Sequence, residues 1–474
     1  MMTLSEAARA LGARTLGADV VFESVSIDSR TVQAGDLFIA IRGERFDGHR
    51  FLVNAARSGA VAAMVEEKAA GADGVADVLP LIVVPDTRQA LGRLAAHWRA
   101  KFAMLLVALT GSSGKTTVKE MLAWILRESV RSGSQGGCAG PRVLATRGNL
   151  NNDIGAPLVL LELAPEHRYA VIEMGMNHAG EIRYLTQLAA PDVALVTNAG
   201  HAHLEHLGSP EAIARAKGEI FEGLKPGGTA VINADDRFAP IWREAAAGKR
   251  VLEFGLNPEA AVGARYTLHH LESEIVVKTP LGEAPALLKV PGLHNVRNAL
   301  AAAAAAAALD VAPPVIAAGL SRFAGIKGRL QQRAAINGAL LIDDTYNANP
   351  ESVRAAISVL AQAPGRKMLV LGDMGELGPD GARLHAEIGG AARVAGIERL
   401  LSLGDLSAHA AKAFGDGGRH FPRIEDLLAE IENALAPQVT VLVKGSRFMQ
   451  MERVVRAFAV NGAQQGAKSG GESA

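Results

Sequence analysis

Met104-Leu-Leu-Val-Ala-Leu-Thr-Gly-Ser-Ser-Gly-Lys-Thr-Thr117 begins as an unbroken apolar run and ends in a turn of glycines, hydroxyls and one lysine. An apolar run of this length reads as a strand buried on both faces, the kind found in parallel sheets. The turn then leads into a helix. Backbone N–H groups of such a turn and helix start can cradle phosphate oxygens. Gly111 and Gly114 allow close backbone approach, with Ser112, Ser113 and Thr117 in the same cradle. Lys115 can neutralise β/γ-phosphate charge, and the Thr116 hydroxyl can bind Mg²⁺. A strict phosphate loop has a glycine where this chain has Leu109, so the turn is a shorter variant. A glycine turn with a surface lysine is the bland alternative. Strand, turn, helix and Gly-Lys-Thr-Thr together weigh against it.

Outward from this stretch, residues 169–173, 193–197 and 228–233 read as further buried strands with helices between them. Alternating strands and helices argue for a parallel sheet. Residues 275–283 read as a hairpin about a Pro/Gly turn. A helix from Asn295 through the alanine run 301–308 closes this unit. Upstream, 35–41, 61–65 and 81–84 read as strands of a small α/β unit, and a helix over 87–100 leads out of it. Downstream, 339–343, 367–371, 400–403 and 439–443 read as strands of a second doubly wound sheet. The expected fold is α/β in three domains. Residues 1–101 form a small N-terminal α/β domain, 102–326 a central parallel-sheet phosphate-loop ATPase domain, and 327–474 a Rossmann-like α/β domain. Its small, polar tail from Gly462 is expected to be disordered, and residues 132–140 are expected to form a mobile loop.

Composition agrees with three cores. The 474 residues suit about three domains. Lys plus Arg (49) balances Asp plus Glu (49), so bulk charge gives no reason to expect nucleic-acid binding. At 49% hydrophobic and 21% charged, the chain is not of the disordered class. Aromatics are few, so the cores must be built from Ala, Leu, Val and Ile. The single cysteine, Cys138, excludes an internal disulfide and fits a reducing compartment. The N-terminus lacks a basic segment followed by an apolar one, and no apolar run reaches the ~18 residues of a membrane span. A cytoplasmic protein is expected, with a monomer as the default.

Other candidates sit where the strands end, the ligand-binding edge of such sheets. Glu173 closes the strand after the phosphate loop and can hold Mg²⁺ directly or through water. Alone it would read as a solvated strand-end carboxylate. His201, His203 and Glu205 follow the next strand, and without a cysteine partner they do not suggest zinc. Lys217 reads as an exposed lysine on a helix. Asn295 reads as a helix cap, or as an amide reading an adenine edge. Arg329 reads as a surface arginine or a phosphate clamp between domains. The polar stretch Asp343 to Pro350, with Asp344 in it, reads as caps and turns.

Taken together, these stretches resemble the Mur ligase family. The carrying motifs are Asp28-Ser-Arg30, Phe46-Asp-Gly-His49, Gly111 to Thr117, Arg147-Gly-Asn-Leu-Asn-Asn-Asp-Ile154, Ala202-His-Leu-Glu205 and Arg215-Ala-Lys-Gly-Glu219. Asp344-Thr-Tyr-Asn-Ala-Asn-Pro350, Gly372-Asp-Met-Gly-Glu-Leu-Gly378 and Lys444-Gly-Ser-Arg447 complete the set. The likeness spans most of the chain. It is greatest to the branch that joins D-alanyl-D-alanine to UDP-N-acetylmuramoyl-tripeptide for peptidoglycan synthesis. Sister ligases adding another amino acid, folylpolyglutamate-type ligases, and a nucleotide-dependent switch are the alternatives.

The resemblance implies that Ser29, Arg30, Phe46 and His49 hold the UDP-sugar, and that Asn149, Asn151 and Asn152 lie near the peptide. It implies that Lys115, Glu173, His203 and Lys217 are catalytic, with Thr116, Glu173, His203 and Lys217 around two Mg²⁺ ions. Lys217 matches a lysine that several members carry as a carbamate, while His201 receives no role. Asn295 would contact adenine, Arg329 phosphate and Asp344 ribose. ATP would activate the tripeptide carboxylate as an acyl phosphate.

Overall fold

The run that opens at Leu105 lies near the middle of a six-stranded parallel sheet. The computed structural model describes residues 1–43, 46–70, 78–132, 142–200, 207–270 and 272–460. The sheet order is Arg250–Phe254, Thr229–Asn233, Val193–Val196, Leu105–Thr110, Tyr169–Glu173, Val143–Ala145. Pairing is parallel throughout, which agrees with the buried Val/Ala/Leu strands. The chain leaves Leu105–Thr110 and later returns on its other side at Val193–Val196. The phosphate turn therefore stands at the point where strand order reverses, the usual crevice for a ligand.

One face of this sheet is covered by the helices Lys115–Ser132 and Leu293–Ala307, and Pro313–Arg322 packs outside them, against Lys115–Ser132. Ala301 to Ala306 are all buried, so the alanine run is the contact surface of a tightly packed helix. Gly319 belongs to the same close approach. A Cβ there would run into the Ile125 backbone. The expected hairpin is present as Ser273–Thr279 and Gly282–Leu288. The strand Gly263–Leu268 extends it to a three-stranded antiparallel sheet.

The N-terminal unit is a five-stranded sheet of order Arg14–Leu16, Leu81–Val84, Ala62–Glu66, Asp36–Ile39, Ser24–Ser26. The helix Thr87–Ala100 opens on an Asp86 cap whose carboxylate accepts from the Gln89 N–H at 2.9 Å. This helix does more than lead out of the unit. Leu91, Leu94 and Ala95 share one apolar core with both sheets, and Trp98 Nε1 donates to the Leu163 carbonyl at 2.9 Å. The first two units are thus packed together through a continuous core.

The last sheet has the order Gln331–Ala334, Leu340–Asp344, Val439–Lys444, Arg366–Gly372, Arg399–Leu403, Gly418–Phe421, with the first strand antiparallel. Two separate apolar clusters cover its faces, as a doubly wound sheet requires. Its switch point lies among Leu340–Asp344, Val439–Lys444 and Arg366–Gly372. Residues 133–141, with Cys138, and 461–474, where the mobile loop and disordered tail are expected, lie outside the described residues. So does the segment 201–206, which holds His201, His203 and Glu205. Among the described residues no helix is long and apolar enough to cross a membrane.

Candidate active site

A cleft of about 1320 Å³ runs between the switch points of the two six-stranded sheets. Ser112 to Thr117 line one side. Strand ends and loops of the last sheet, including Asp344, Asn349, Glu376 and Phe448, line the other. Arg88 reaches the rim from the N-terminal unit and pairs with Asp153.

The phosphate turn is fixed from below. Ser112 N–H donates to the Asn198 carbonyl at 3.0 Å, Ser113 N–H to Asn198 Oδ1 at 2.9 Å, and Thr197 Oγ1 to the Ser113 carbonyl at 2.8 Å. Gly111 is extended at φ 158° and a Cβ on it would strike Thr197. Gly114 is left-handed at φ 81° and a Cβ on it would strike Asn298. The helix starts at Lys115, so the N–H groups of its first turn lack intrahelical partners and carry the positive end of the helix dipole. Lys115 Nζ donates to the Gly111 carbonyl at 2.6 Å. Burial lowers its pKa, an effect opposed by Glu173 and Glu376 and reinforced by Arg329.

Glu173 is 2% exposed, so it is not a solvated strand end. Its Oε1 accepts from Asn151 Nδ2 at 2.8 Å, while Oε2 is buried without a hydrogen-bond partner. Thr110 Oγ1 is a second buried oxygen without a partner. Orphaned buried oxygens are costly unless a bound group completes them. Lys217 is 1% exposed, which corrects the reading of an exposed helical lysine. Its helix, Pro210–Gly218, is capped by Ser209 and pinned by Trp242, whose Nε1 donates to the Ala214 carbonyl at 2.9 Å. Burial, and then the charge of Lys115, push the Lys217 pKa far down. No carboxylate among the described residues pairs with it. Nor do three or more His, Cys, Asp or Glu gather as a metal cage among the described residues.

Arg329 joins the two sides. Its Nη2 donates to Thr116 Oγ1 at 2.9 Å, its Nε is buried without a partner, and its guanidinium lies 4.3 Å from the centre of the Tyr346 ring. Asp344 is buried and pairs with Lys444 at 2.6 Å. Burial pushes its carboxyl pKa up, against the pull of Lys444. Asn295 is not the helix cap. It lies inside Leu293–Ala307, whose N-cap is Gly292, and its Nδ2 donates to the Pro291 carbonyl at 2.8 Å. His294 beside it lines the cleft with its pKa pushed down to about 4, by burial first and then by Lys444 and Arg297.

The profile of the Mur ligase middle domain matches residues 109–306. That of the Mur ligase, glutamate ligase domain matches 328–447, and that of the Mur ligase family, catalytic domain matches 21–99. The chain belongs to the Mur ligase family. The Escherichia coli K12 UDP-N-acetylmuramoyl-tripeptide–D-alanyl-D-alanine ligase is 43% identical to it over 467 residues, covering 97% of this chain and 99% of that one. The structure of MurF from Acinetobacter baumannii matches with a TM-score of 0.88 at 37% identity, over 96% of this chain and 98% of that one. MurF from Thermotoga maritima in complex with ADP matches at 0.78 and 27%, over 93% and 98%.

In this Mur ligase the phosphate turn, Glu173, Asn149, Asn151, Asn152, Asn295, Arg329 and Asp344 all border one cleft. Asn152 is partly structural, because its Oδ1 holds the Gly155 N–H at 2.8 Å. Lys217 does not line the cleft. Ser29, Arg30, Phe46 and His49 do not line it. Arg30 is an exposed arginine paired with Asp28 at 2.6 Å. His49 has both ring nitrogens engaged, Nδ1 with Asp47 at 2.6 Å and Nε2 with the Glu66 N–H at 3.0 Å, so it shapes its loop. Sequence reasoning gave no role to His294, Asn349, Glu376 or the Arg88–Asp153 pair. Asn349, Glu376 and Asp153 stood in quoted motifs, but nothing local marked His294 or the meeting of Arg88 with Asp153.

Proposed function

We propose that this Mur ligase joins D-alanyl-D-alanine to UDP-N-acetylmuramoyl-tripeptide with cleavage of ATP to ADP and phosphate, a step of peptidoglycan synthesis. The observation that carries the reading is the bond from Arg329 to Thr116. It brings the last sheet's wall against a phosphate loop in a chain similar over its full length to ligases of that name. We read residues 102–326 as the ATP-binding unit, 1–101 as the holder of the UDP-sugar, and 327–474 as the unit that presents the dipeptide. Asn149, Asn151 and Asn152 border the tripeptide's end of the cleft. His294 and Asn295 border the adenine end, and Asp344 the ribose.

The first step needs a carboxylate to attack a triphosphate, so two anions must meet. Lys115 and Arg329 supply positive charge there, and the first-turn N–H groups add oriented dipoles. The tripeptide carboxylate oxygen bonds to the γ-phosphorus, ADP departs, and an acyl phosphate remains. The dipeptide ammonium first gives up a proton to solvent. The resulting amine attacks the acyl carbon, and phosphate leaves with the bonding electrons of its C–O bond. Loss of a second proton from the nitrogen gives the amide. Water would hydrolyse the acyl phosphate, so walls from two sheets around one cleft serve the chemistry.

The hard-oxygen set of Thr116 and the orphaned Glu173 Oε2 fits magnesium. His203, outside the described residues, would complete the set. When bound, magnesium would neutralise developing charge on the phosphoryl oxygens. Lys217 fits a carbamate, since burial favours the uncharged amine, the form able to add carbon dioxide. The resulting anion would be a further metal ligand. A monomer is our default, and the nucleotide substrates support a cytoplasmic site of action.

The test is phosphate release from ATP and UDP-N-acetylmuramoyl-tripeptide, with D-alanyl-D-alanine or single amino acids as acceptors. Release is expected with the dipeptide alone. Equal release with a single amino acid would make the protein a sister ligase.

A further inference from the structure

The mechanism leaves the incoming dipeptide without a seat, and one wall of the cleft has the chemistry to provide it. Residues 373–376 and 445–448 follow the paired parallel strands Arg366–Gly372 and Val439–Lys444. The two loops are tied together. Ser446 N–H donates to the Asp373 carbonyl at 2.9 Å, and Gly375 N–H donates to Ser446 Oγ at 2.8 Å. Ser446 Oγ in turn donates to the Ala348 carbonyl at 3.1 Å. The Phe448 ring lies directly against Gly375, since a Cβ on that glycine would stand 2.8 Å from the ring.

Glu376 follows that glycine in the left-handed region, at φ 61°, where residues with side chains are uncommon. Such conformations persist when the surroundings fix them, and they gather at functional sites. Here the fixed backbone presents Glu376 to the cleft, on the side that influences Lys115. Phe448 lines the same wall although it is 64% exposed, and Arg447 lies between it and Ser446.

Charge then sorts the ligands. The triphosphate, the tripeptide carboxylate and the released phosphate are all anions, and a carboxylate on this wall repels them. The dipeptide carries a cationic ammonium. It is also a zwitterion with two methyl groups, so it matches an acid, a ring and a guanidinium held on two joined loops. We propose that Glu376 binds the ammonium group of D-alanyl-D-alanine, with the Phe448 ring against its methyl groups and Arg447 toward its terminal carboxylate. This deepens the functional reading above and rests on it. Glu376 binds and aims the nucleophilic nitrogen, and no proton transfer is assigned to it.

The experiment uses the full chain. Wild-type phosphate release with D-alanyl-D-alanine comes first, and its absence would remove the functional reading itself. With wild-type turnover in hand, Glu376→Gln should raise the dipeptide KM at least tenfold while the ATP KM stays within twofold. Glu376→Asp should fall between the two. The ratio of the inhibition constant of N-acetyl-D-alanyl-D-alanine to the dipeptide KM should drop at least tenfold in Glu376→Gln, because the wild type alone gains from a free ammonium. An unchanged dipeptide KM, or an ATP KM rising in parallel, would overturn the proposal. Should Glu376→Gln fail to fold, Phe448→Ala at an exposed ring carries the test. A several-fold rise in dipeptide KM supports the seat, and no change overturns it.

Discussion

The side-chain amide of Asn349 bonds at both ends. Its Oδ1 accepts from the Ser352 N–H at 2.8 Å and caps the helix Pro350–Ala361, while its Nδ2 donates to Ser113 Oγ at 3.1 Å. One residue thus starts a helix of the last sheet and fastens that sheet to the phosphate turn. The two bonds can be separated. Asn349→Ser keeps a good cap but is too short to reach Ser113. Its melting temperature should stay near wild type while phosphate release falls several-fold. Asn349→Ala loses both bonds and should also lose about 1 kcal/mol of stability, read from denaturant unfolding.

Lys115 lies on the cleft wall with its Nζ folded onto the Gly111 carbonyl, poised to turn toward a bound phosphate. Lys115→Ala removes the charge without disturbing the buried strand beneath it. Phosphate release should fall by a factor on the order of a hundred or more, with the far-ultraviolet circular dichroism spectrum unchanged. Near-normal turnover would take the phosphate-loop assignment away.

These two residues mark what a sequence discloses and what it conceals. Lys115 is legible because its motif is local: a buried strand, a turn and a helix start within fourteen consecutive positions. The strands Leu105–Thr110, Tyr169–Glu173 and Val439–Lys444 are legible for the same reason, since burial on both faces leaves a continuous apolar run. Strands at the sheet edges escape such a reading. Gln331–Ala334 is polar and half-exposed, and Arg250–Phe254 breaks its apolar residues with Arg250 and Glu253, so only a neighbouring strand makes them strands. The Asn349–Ser113 bond joins residues 236 apart, and Arg88–Asp153 joins residues 65 apart. No local pattern announces such meetings. Lys217 was misjudged as exposed because helix spacing cannot reveal that Trp242 packs against its helix.

His294 predicts how stability depends on acidity. Its folded pKa of about 4 lies below the ~6.5 of an unstructured histidine, because burial and the nearby Lys444 and Arg297 disfavour the imidazolium. The unfolded chain therefore binds a proton between those values and the folded chain does not. Stability from this residue is fully present above about pH 6.5 and is lost as pH falls toward 4. The loss should be on the order of 3 kcal/mol. His294→Gln should flatten that part of the profile in urea unfolding at stepped pH. An unchanged slope would mean that another group titrates there.

Lys217 offers the sharpest test of the proposed carbamate. As an ammonium ion it would be a buried charge beside Lys115, with no carboxylate among the described residues to pair with it. As an uncharged amine it adds to carbon dioxide, and loss of one proton from nitrogen gives an anion. That anion relieves the clash with Lys115. Lys217→Ala should be inactive yet folded, and its activity should return in part with millimolar acetate or propionate, which can enter the vacated space and restore the negative charge. Lys217→Arg should be inactive and should not respond, because its guanidinium fills the space and stays charged. Full activity of the alanine variant without added acid would end the carbamate proposal and return Lys217 to a packing role.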